Sequence, residues 1–347
     1  MPDVRVSAPP PLGVAVVGLG VGVAHLWAWK RVPQHFTVAA VCDHDATRLA
    51  ATAARFPEAI AVSDLDELIG RVGIDVIDLC TPPSLHRDQI TRILRAGQHA
   101  VCEKPLVGSV AEVDELLAVE RETGMRVMPI FQYRFGTGLQ KLRHLVDAGV
   151  TGALHTATIE VSWRRRADYY AAPWRGTFEG ELGGVLLTHA VHALDMLTTV
   201  AGPVQNVSAR TATRVNDVET EDCAAVTLEL DGGALATLSA TLGSSAEITR
   251  HRFCFAEMTA ESNTEPYTNG SDPWTFTPDS PAAAEAIDDA LATFAPRAEN
   301  FLGQFERYGE ALRDGADLPV TLADARAAIS TVLAMYESAS TRREIAL

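Results

Sequence analysis

The segment LGVAVVGLGVGVAH (residues 12–25) places a glycine-rich turn after a short β-branched run and before a helical stretch. Glycine lets the backbone turn tightly, and it lets a pyrophosphate approach the N–H groups at the start of a helix, where the helix dipole favours negative charge. The third glycine of a G-x-G-x-x-G pattern would fall at position 23, but Val23 stands there and Gly22 lies one place earlier, so we expect slightly altered helix packing. The segment predicts a dinucleotide site whose turn consists of Gly18, Leu19, Gly20, Val21 and Gly22.

An acidic residue follows at the distance that such a site requires. Asp43 ends the second predicted strand, 23 residues after Gly20. A carboxylate there accepts hydrogen bonds from both hydroxyls of an adenosine ribose and repels a 2′-phosphate, which favours NAD over NADP. Arg48 lies close enough in sequence to soften that preference. The alternative interpretation is a plain βα turn followed by a solvated aspartate.

The pattern on either side of the turn predicts the fold class. Short apolar runs alternate with helical stretches up to about residue 130, which is typical of a parallel sheet covered on both faces, and strands with polar and apolar alternation follow. We predict an α/β plus α+β protein with a mainly antiparallel open sheet in its second domain. The predicted parts are a flexible tail (1–11), a doubly wound Rossmann domain (12–130) and a substrate-binding and oligomerisation domain (131–347). Residues 261–285 are predicted to form a long surface loop.

Composition limits the partners and the compartment. A net charge of −16 repels phosphate backbones and anionic membrane surfaces, so we expect neither nucleic acid nor a membrane as partner. The five cysteines lack CxxC pairs, which favours reduced thiols in the cytoplasm. Residues 6–29 carry no formal charge and could be a signal peptide or a membrane span, but their prolines and glycines favour a strand and a turn.

Several longer segments carry a resemblance to a known family. The segments TPPSLHRDQITRILRAGQHAVCEKPL (81–106), YRF (133–135), WRGTF (174–178) and GGVLLTHAVHALDML (183–197), with the glycine turn, resemble the Gfo/Idh/MocA family of NAD(P)-dependent sugar and polyol dehydrogenases. The resemblance covers nearly the whole chain. It implies an active site between the two domains, a homodimer or homotetramer, and a frequent cis bond between Lys104 and its proline. It also implies that Thr81, Pro82, His86, Glu103 and Lys104 contact the cofactor or shape the crevice around it.

Lys104 is the first candidate catalytic residue. Strands of an open α/β sheet bring their carboxyl ends to the ligand crevice, so Lys104 would emerge beside the nicotinamide. A desolvated lysine has a lowered pKa, which suits it to bind and help deprotonate a hydroxyl as hydride leaves the same carbon. The alternative is a surface lysine paired with Glu103.

His192 is the second candidate, because it falls on the histidine of the family. Many members carry aspartate four residues earlier, and a helix presents those two positions on one face. Thr188 stands there in this chain. Threonine cannot relay a proton as a carboxylate does, so our hypothesis is that Lys104 and His192 carry the acid/base work and Thr188 orients the sugar. His189 could share that face, or it could be a helix histidine that binds a backbone carbonyl.

The segment SWRRRADYYAAPWRGTF (162–178) concentrates aromatic rings and arginines. Rings offer apolar faces to sugar C–H groups, and guanidinium forks bind carboxylate or phosphate. We therefore predict a substrate pocket that includes Trp174, Arg175 and either Tyr133 or Arg134. Residues 164–166 could instead be a solvated strand edge. Since no histidine and carboxylate cluster has a ligand spacing such as H-E-x-x-H, we predict no metal.

The predicted activity is hydride transfer between NAD(H), with NADP a weaker candidate, and a secondary hydroxyl or ketone of a sugar, cyclitol or sugar derivative. Two alternatives remain open. One is an NAD-dependent enzyme that cleaves glycosides through transient oxidation. The other is a sensor or regulator that binds the nucleotide without chemistry.

Overall fold

The computed structural model describes residues 10–347. The predicted tail of residues 1–11 lies outside the described residues except for Pro10 and Pro11, which are exposed and precede the first strand. Two sheets organise the rest of the chain, and the predicted fold class is confirmed. The domain limits at residues 130 and 131 stay a prediction.

The first sheet has six parallel strands in the order β3-β2-β1-β4-β5-β6. Its central strand β1 is buried along nearly its whole length, as expected for a sheet covered on both faces. The strands are β1 (Leu12–Val17), β2 (Phe36–Cys42), β3 (Ile60–Val62), β4 (Val76–Leu79), β5 (His99–Cys102) and β6 (Val127–Pro129). The helices of this half are α1 (Gly22–Trp29), α2 (Ala46–Ala53), α3 (His86–Arg95) and α4 (Val110–Thr123). The strand order reverses between β1 and β4, which creates the crevice where ligands of such sheets bind.

The second sheet has eight strands in the order β13-β12-β11-β7-β10-β9-β8-β14. All neighbours are antiparallel except β7 and β10. The strands are β7 (Leu154–Arg164), β8 (Val204–Ala212), β9 (Cys223–Leu230), β10 (Leu235–Thr241), β11 (Gly243–Phe255), β12 (Met258–Glu261), β13 (Thr275–Pro278) and β14 (Ile345–Ala346). In β9 and β10, buried and exposed residues alternate, so one face packs on helices and the other is open.

Helices cover the packed face of the second sheet and tie the two halves together. They are α5 (Thr137–Asp147), α6 (Phe178–Glu181), α7 (Val191–Ala201), α8 (Pro281–Ala292), α9 (Asn300–Asp314) and α10 (Leu322–Thr341). Helix α9 also completes the core of the first half, because the Phe305 ring stacks on Trp29 at a centroid distance of 3.7 Å. Residues distant in sequence thus stabilise the nucleotide-binding half.

One stretch within residues 10–347, Phe178–Ala201, is long and apolar enough to cross a membrane by length and composition. Of its most apolar window, 78% is buried inside the protein. The stretch contains α7, whose residues Val191 to Leu197 are all buried. This burial is that of a core helix.

The predicted surface loop at residues 261–285 is wrong in part. Strand β13 and the start of α8 lie within it. Its Trp274 ring is buried, and the indole N–H donates to the carbonyl of Asn269 at 2.7 Å. Composition alone suggested a loop because the segment is rich in Ser, Thr and Pro, but one buried indole anchors it to the core. All five cysteines are free.

Candidate active site

A cavity of about 490 Å³ lies between the carboxyl edge of the first sheet and the helical layer of the second. Its nucleotide end is lined by Gly18, Gly20, Val21, Asp43, His44, Arg48, Thr81 and Pro82. Its other end is lined by Glu103, Lys104, Gln132, Tyr133, Trp163, Arg165, Tyr169, Trp174, Arg175, Glu181, Thr188, His189, His192 and Tyr267. Most of the residues predicted from the sequence therefore surround one space.

The glycine turn has the geometry that a dinucleotide turn needs. Gly18 has a φ of 90°, and a Cβ atom there would collide with the carbonyl oxygen of Cys80. A Cβ atom on Gly22 would lie 2.9 Å from Cγ1 of Val16. Gly22 thus permits the close approach of helix and strand that the third glycine of the pattern usually provides, which explains why Val23 is tolerated at that position.

Asp43 is fixed by hydrogen bonds at the end of β2. Its carboxylate accepts from the backbone N–H of Leu19 and of Asp45, each at 2.8 Å, and from Nε and Nη2 of Arg48, each at 3.0 Å. Burial raises the pKa of the Asp43 carboxyl, but these bonds outweigh it and the pKa lies below its ordinary value. Asp43 is therefore an anion at neutral pH, and it joins the glycine turn to the end of β2.

His86 joins the loop after β4 to the loop after β5. Its Nε2 lies 2.9 Å from the carbonyl oxygen of Thr81, and its Nδ1 lies 3.0 Å from that of Pro105. The ring is buried and outside the cavity lining. The Lys104–Pro105 bond is cis, as the family resemblance led us to expect.

Lys104 reaches from the first sheet to the second half of the molecule. Its Nζ donates to the backbone carbonyl of Thr188 at 2.7 Å. Burial lowers the pKa of Lys104, and the charges of Arg175 and Arg165 lower it further against the opposing effect of Glu103. An ammonium has three N–H donors, so this contact leaves others for a ligand.

A buried network of charged groups lies directly behind Lys104. The ring of His25 lies 2.9 Å from Asp78 through Nδ1 and 3.1 Å from Glu103 through Nε2, and the Trp29 indole donates to Asp78 at 2.7 Å. The other carboxylate oxygen of Glu103 accepts from the backbone N–H of Lys104 at 3.0 Å. Burial alone would lower the pKa of His25, but the Asp78 carboxylate raises it well above 6.5, so the ring is an imidazolium between two anions.

Within the described part of the chain, this network also contains a group of side chains whose atoms are close enough together to bind a metal ion. His25, Asp78 and Cys80 place three ligand atoms within 4.8 Å of one another. The indole of Trp29 and the ring of His25 already donate to the same oxygen of Asp78. We interpret the group as a hydrogen-bond network.

His192 presents an unsatisfied ring to the cavity. Its ring stacks on Tyr133 at a centroid distance of 4.6 Å, and its Nδ1 is buried without a hydrogen-bond partner among residues 10–347. Burial and then the charge of Lys104 lower the pKa of His192 to about 3, so the ring is neutral at physiological pH. A buried nitrogen without a partner is costly, and the His192 ring that carries it lines the cavity.

Thr188 and His189 are both occupied by protein contacts. The Thr188 hydroxyl donates to the carbonyl of Gly184 at 2.7 Å and lies 2.6 Å from Nδ1 of His189. Nε of Arg165 donates to Nε2 of His189 at 3.2 Å. These partners require the tautomer of His189 with its proton on Nδ1, and burial together with nearby cations lowers its pKa well below 6.5. His189 is thus less available to a substrate than His192.

A π-helical turn at residues Leu186–Ala190 carries His189 and leads into α7, which carries His192. Such turns are frequent at functional sites because they change which side chains share a helix face. Glu221 holds the start of the turn, since its carboxylate accepts from the backbone N–H of Gly184 at 2.9 Å and of Leu186 at 3.0 Å.

Arg175 and Trp174 form one wall of the cavity. The guanidinium of Arg175 lies 3.9 Å from the ring centroid of Tyr169 and 4.3 Å from that of Trp174. Its Nη1 donates to the Tyr169 hydroxyl and, at 3.0 Å, to Glu181. Glu181 also accepts from the backbone N–H of Gly176 at 2.6 Å. The arginine is therefore held rigidly at the edge of the space.

Arg134 does not reach the cavity. Its guanidinium binds Asp195 through Nε at 3.1 Å and through Nη2, and it binds Asp324 at 3.1 Å. It joins α7 to α10. Of the two alternatives offered by the sequence, only Tyr133 lines the cavity.

Sequence reasoning missed several lining residues. Arg165, which was weighed as part of a solvated strand edge, is mostly buried and donates to Tyr267 at 3.1 Å. Tyr267 itself comes from the segment interpreted as a surface loop. Only the exposure of Arg166 follows the strand-edge interpretation. The aromatic residues around the arginine run were the one available signal for these positions.

The fold and the site together define a two-domain oxidoreductase fold, with a Rossmann-type sheet and an open sheet on either side of a cleft. A family model described as "Oxidoreductase family, NAD-binding Rossmann fold" matches residues 12–131, and the GFO/IDH/MocA C-terminal domain model matches residues 139–257. The chain belongs to the GFO/IDH/MocA oxidoreductase family. The resemblance recognised in the sequence is confirmed.

Relatives of known sequence or structure agree with that assignment. The uncharacterized oxidoreductase YrbE of Bacillus subtilis is 28% identical over 229 residues, which are 64% of this chain and 65% of the relative. The scyllo-inositol 2-dehydrogenase (NADP(+)) IolW of Bacillus subtilis is 24% identical over 307 residues, 84% of each chain. The chain spans less than two thirds of the length of YrbE and of two further oxidoreductases that it matches.

A solved structure extends the likeness to the whole fold. The WlbA dehydrogenase from Bordetella pertussis, in complex with NADH and UDP-GlcNAcA, is 24% identical with a TM-score of 0.85. The match covers 98% of this chain and 99% of that one. The likeness shows that both halves of this chain have the same fold as the corresponding halves of that structure.

Proposed function

We propose that the protein is an NAD-dependent dehydrogenase that transfers hydride between the cofactor and a secondary hydroxyl or ketone of a sugar, cyclitol or sugar derivative. The observation that carries the proposal is the cavity itself. Lys104 at the carboxyl edge of the first sheet and His192 on α7 line the same space as the glycine turn. The scyllo-inositol dehydrogenase relative, which acts on a cyclitol by its name, supports the substrate class.

The residues at the nucleotide end fit NAD. A Cβ atom on Gly20 would meet nothing within 4 Å, so the backbone of the turn is open to a ligand. Gly18, Gly20 and Val21 would hold the pyrophosphate, and Asp43 would accept from the ribose hydroxyls. The anionic charge of Asp43 favours NAD over NADP, whereas Arg48 on the same carboxylate moderates that preference. Bound NAD supplies the hydride acceptor.

Lys104 would bind the hydroxyl that is oxidised. Its lowered pKa reduces the cost of exchanging protons with the substrate, and its remaining N–H groups stabilise negative charge on the oxygen. The bond from Nζ to the Thr188 carbonyl fixes the direction of the amine.

His192 would receive the proton of the hydroxyl. The ring is neutral before reaction, and it lines the cavity. The charge of Lys104 disfavours a lasting imidazolium, so the ring would pass the proton on to solvent water. Thr188 contributes through its backbone carbonyl in this arrangement, and the predicted contact of its hydroxyl with the sugar stays a prediction.

A panel of sugars, inositols, uronates and nucleotide sugars, followed by NADH absorbance, tests the proposal. Lys104 is one of three lysines in the chain, and Lys30 is exposed, so Lys30→Ala is a matched control for Lys104→Ala. We expect Lys104→Ala to lower kcat by about 10²-fold or more while Lys30→Ala has no effect. Undiminished turnover in Lys104→Ala contradicts the assigned role. Net glycoside cleavage without NADH would favour transient oxidation, and NAD binding without turnover of any compound would favour a sensor.

We further propose a homodimer or homotetramer that acts in the cytoplasm. The open face of the second sheet presents short polar side chains, among them Thr158, Thr227, Thr237 and Ser239, over a broad shallow surface. Such a face is suited to burial against a second copy. The five free cysteines suit a reducing compartment. A monomer mass by light scattering at micromolar concentration would contradict the assembly.

A further inference from the structure

We propose that the substrate carries an anionic group, a carboxylate or a phosphate, which binds to the free edge of the Arg175 guanidinium in the cavity. The inference rests on the proposed function and names the class of compound that the site selects. It is carried by the hydrogen bonds that Arg175 makes and by those that it lacks.

One end of the guanidinium is used by the protein and the other edge is open. Nη1 donates to Tyr169 and Glu181, whereas Nε and Nη2 have no hydrogen-bond partner within the described part of the chain. Nε and Nη2 form the side-on edge of a guanidinium, the pair of parallel N–H groups that binds both oxygens of a carboxylate or phosphate. Arg175 lines the cavity and its side chain is 27% exposed, so a ligand in the cavity can reach the side chain.

The orientation of Arg175 is set before any ligand binds. Its guanidinium packs on the rings of Tyr169 and Trp174, and its Nη1 is held by a Glu181 side chain that is only 3% exposed. A preorganised fork loses little conformational entropy when it binds an anion.

Arg165 differs from Arg175 in this respect. Its Nε donates to His189, its Nη1 donates to the carbonyl of Arg164 and to Glu247, and its Nη2 donates to Tyr267. All three nitrogens of Arg165 therefore have protein partners. Arg165 supports the wall of the cavity, and Arg175 is the residue that would bind the anion.

The field inside the cavity has the sign that an anion needs. After burial, the causes that lower the pKa of His189 are the charges of Lys104, Arg165 and Arg175 and the nearby His192 ring. Glu247 pairs with Arg165, and Glu181, which also lines the cavity, pairs with Nη1 of Arg175. A carboxylate beside Arg175 would relieve this mutual repulsion of cations in a chain that is otherwise acidic.

Equilibrium binding tests the subsite without requiring turnover. Enzyme saturated with NADH, which cannot oxidise a hydroxyl, is titrated calorimetrically with three hexoses, each compared with its own uronate and its own 6-phosphate. We expect at least one anionic compound to bind about tenfold more tightly than its parent hexose, the gain typical of a charge-assisted bidentate bond. Preference for the uronate or for the phosphate identifies the anion.

Three variants assign the effect to Arg175. Arg175→Gln should remove the preference for the anion, and Arg175→Lys, which keeps the charge and loses the fork, should retain only part of it. Arg166→Gln is the matched control, because Arg166 is exposed on the same segment and lies outside the cavity lining. If Arg175→Gln is unstable, Arg175→Lys still distinguishes the effect of bidentate hydrogen bonding from the effect of the positive charge.

The inference is overturned if no anionic compound binds, if hexoses bind as tightly as their acids, or if the preference survives in Arg175→Gln. These results differ from a failure of the proposed function. Anion-selective binding without NADH formation from any compound would support the anion subsite and contradict the proposed dehydrogenase activity. NADH formation from neutral sugars alone would support the proposed dehydrogenase activity and contradict the anion subsite.

Discussion

Exchange of His25 for leucine tests whether a buried positive charge stabilises the strand end that carries Lys104. The imidazolium lies between Asp78 and Glu103, and all three side chains are buried. Leucine fills a similar volume but leaves two carboxylates without their cation. Breaking a buried ion pair from one side is strongly destabilising because the remaining charge is uncompensated.

The magnitude follows from Glu103. Burial raises the pKa of this carboxyl, but the hydrogen bond and charge of His25, followed by the charge of Lys104, lower it from 4.5 to about 2. A shift of that size corresponds to about 3 kcal/mol, and His25 is its largest favourable cause. We therefore expect His25→Leu to lower the free energy of unfolding by about 3 kcal/mol at pH 6.

The loss of unfolding free energy in His25→Leu should depend on pH in a defined way. The pKa of His25 is raised on folding, so its contribution is fully present below pH 6.5 and is lost as pH rises through the higher folded value. The pKa of Glu103 is depressed, so its contribution is present above pH 4.5 and is lost as pH falls toward about 2. The difference between wild type and His25→Leu should be largest between pH 4.5 and 6.5 and should shrink in alkali.

Urea unfolding at pH 6 and pH 9, followed by tryptophan fluorescence, measures both quantities. His155→Gln is the control, because His155 is exposed on β7 and should change stability little. The double variant with Glu103→Gln should recover part of the loss, since it removes one of the two stranded carboxylates. Equal stability of wild type and His25→Leu at pH 6, or a deficit that grows at pH 9, would refute the imidazolium bridge.

Three other substitutions bear on the cofactor site and the core. Asp43→Ala should reduce the ratio of kcat/KM for NAD over NADP by about tenfold, and an unchanged ratio would show that Asp43 does not set it. Gly18→Ala should weaken NAD binding and cost about 1 to 3 kcal/mol of stability, because of its positive φ and the carbonyl of Cys80; calorimetric titration with NAD and thermal unfolding measure these effects. Trp29→Ala should cost about 3 to 5 kcal/mol in urea unfolding through the lost stack on Phe305, and a loss below 1 kcal/mol would contradict the role given to α9.

The parts of the site that the sequence could predict depend on local geometry. The distance from the glycine turn to Asp43 is fixed by one βαβ unit, and Lys104 follows directly from the end of β5. Such relations need only neighbouring elements, whose order the apolar pattern makes visible. The π-helical turn at residues 186–190 is less visible, because no composition signal distinguishes it from an ordinary helix.

The parts that could not be predicted depend on distant partners. Tyr133 and Arg134 are adjacent in sequence, but Arg134 is drawn away by Asp195, 61 residues later, and by Asp324, 190 residues later. Strand β11 could not be predicted from the sequence, because its polar alternation and register shift give no clear apolar period. The Phe305 contribution to the first core likewise comes from α9, 276 residues after its stacked partner Trp29 on α1.

A rapid-mixing measurement of hydride transfer in a single turnover tests the central claim most directly, with Lys104→Met, His192→Ala and the double variant compared against wild type on an accepted substrate. If both residues handle the same proton, each single variant slows NADH formation by about 10²-fold or more and the double variant is scarcely slower than the worse single one. A wild-type rate in either single variant would contradict the shared site.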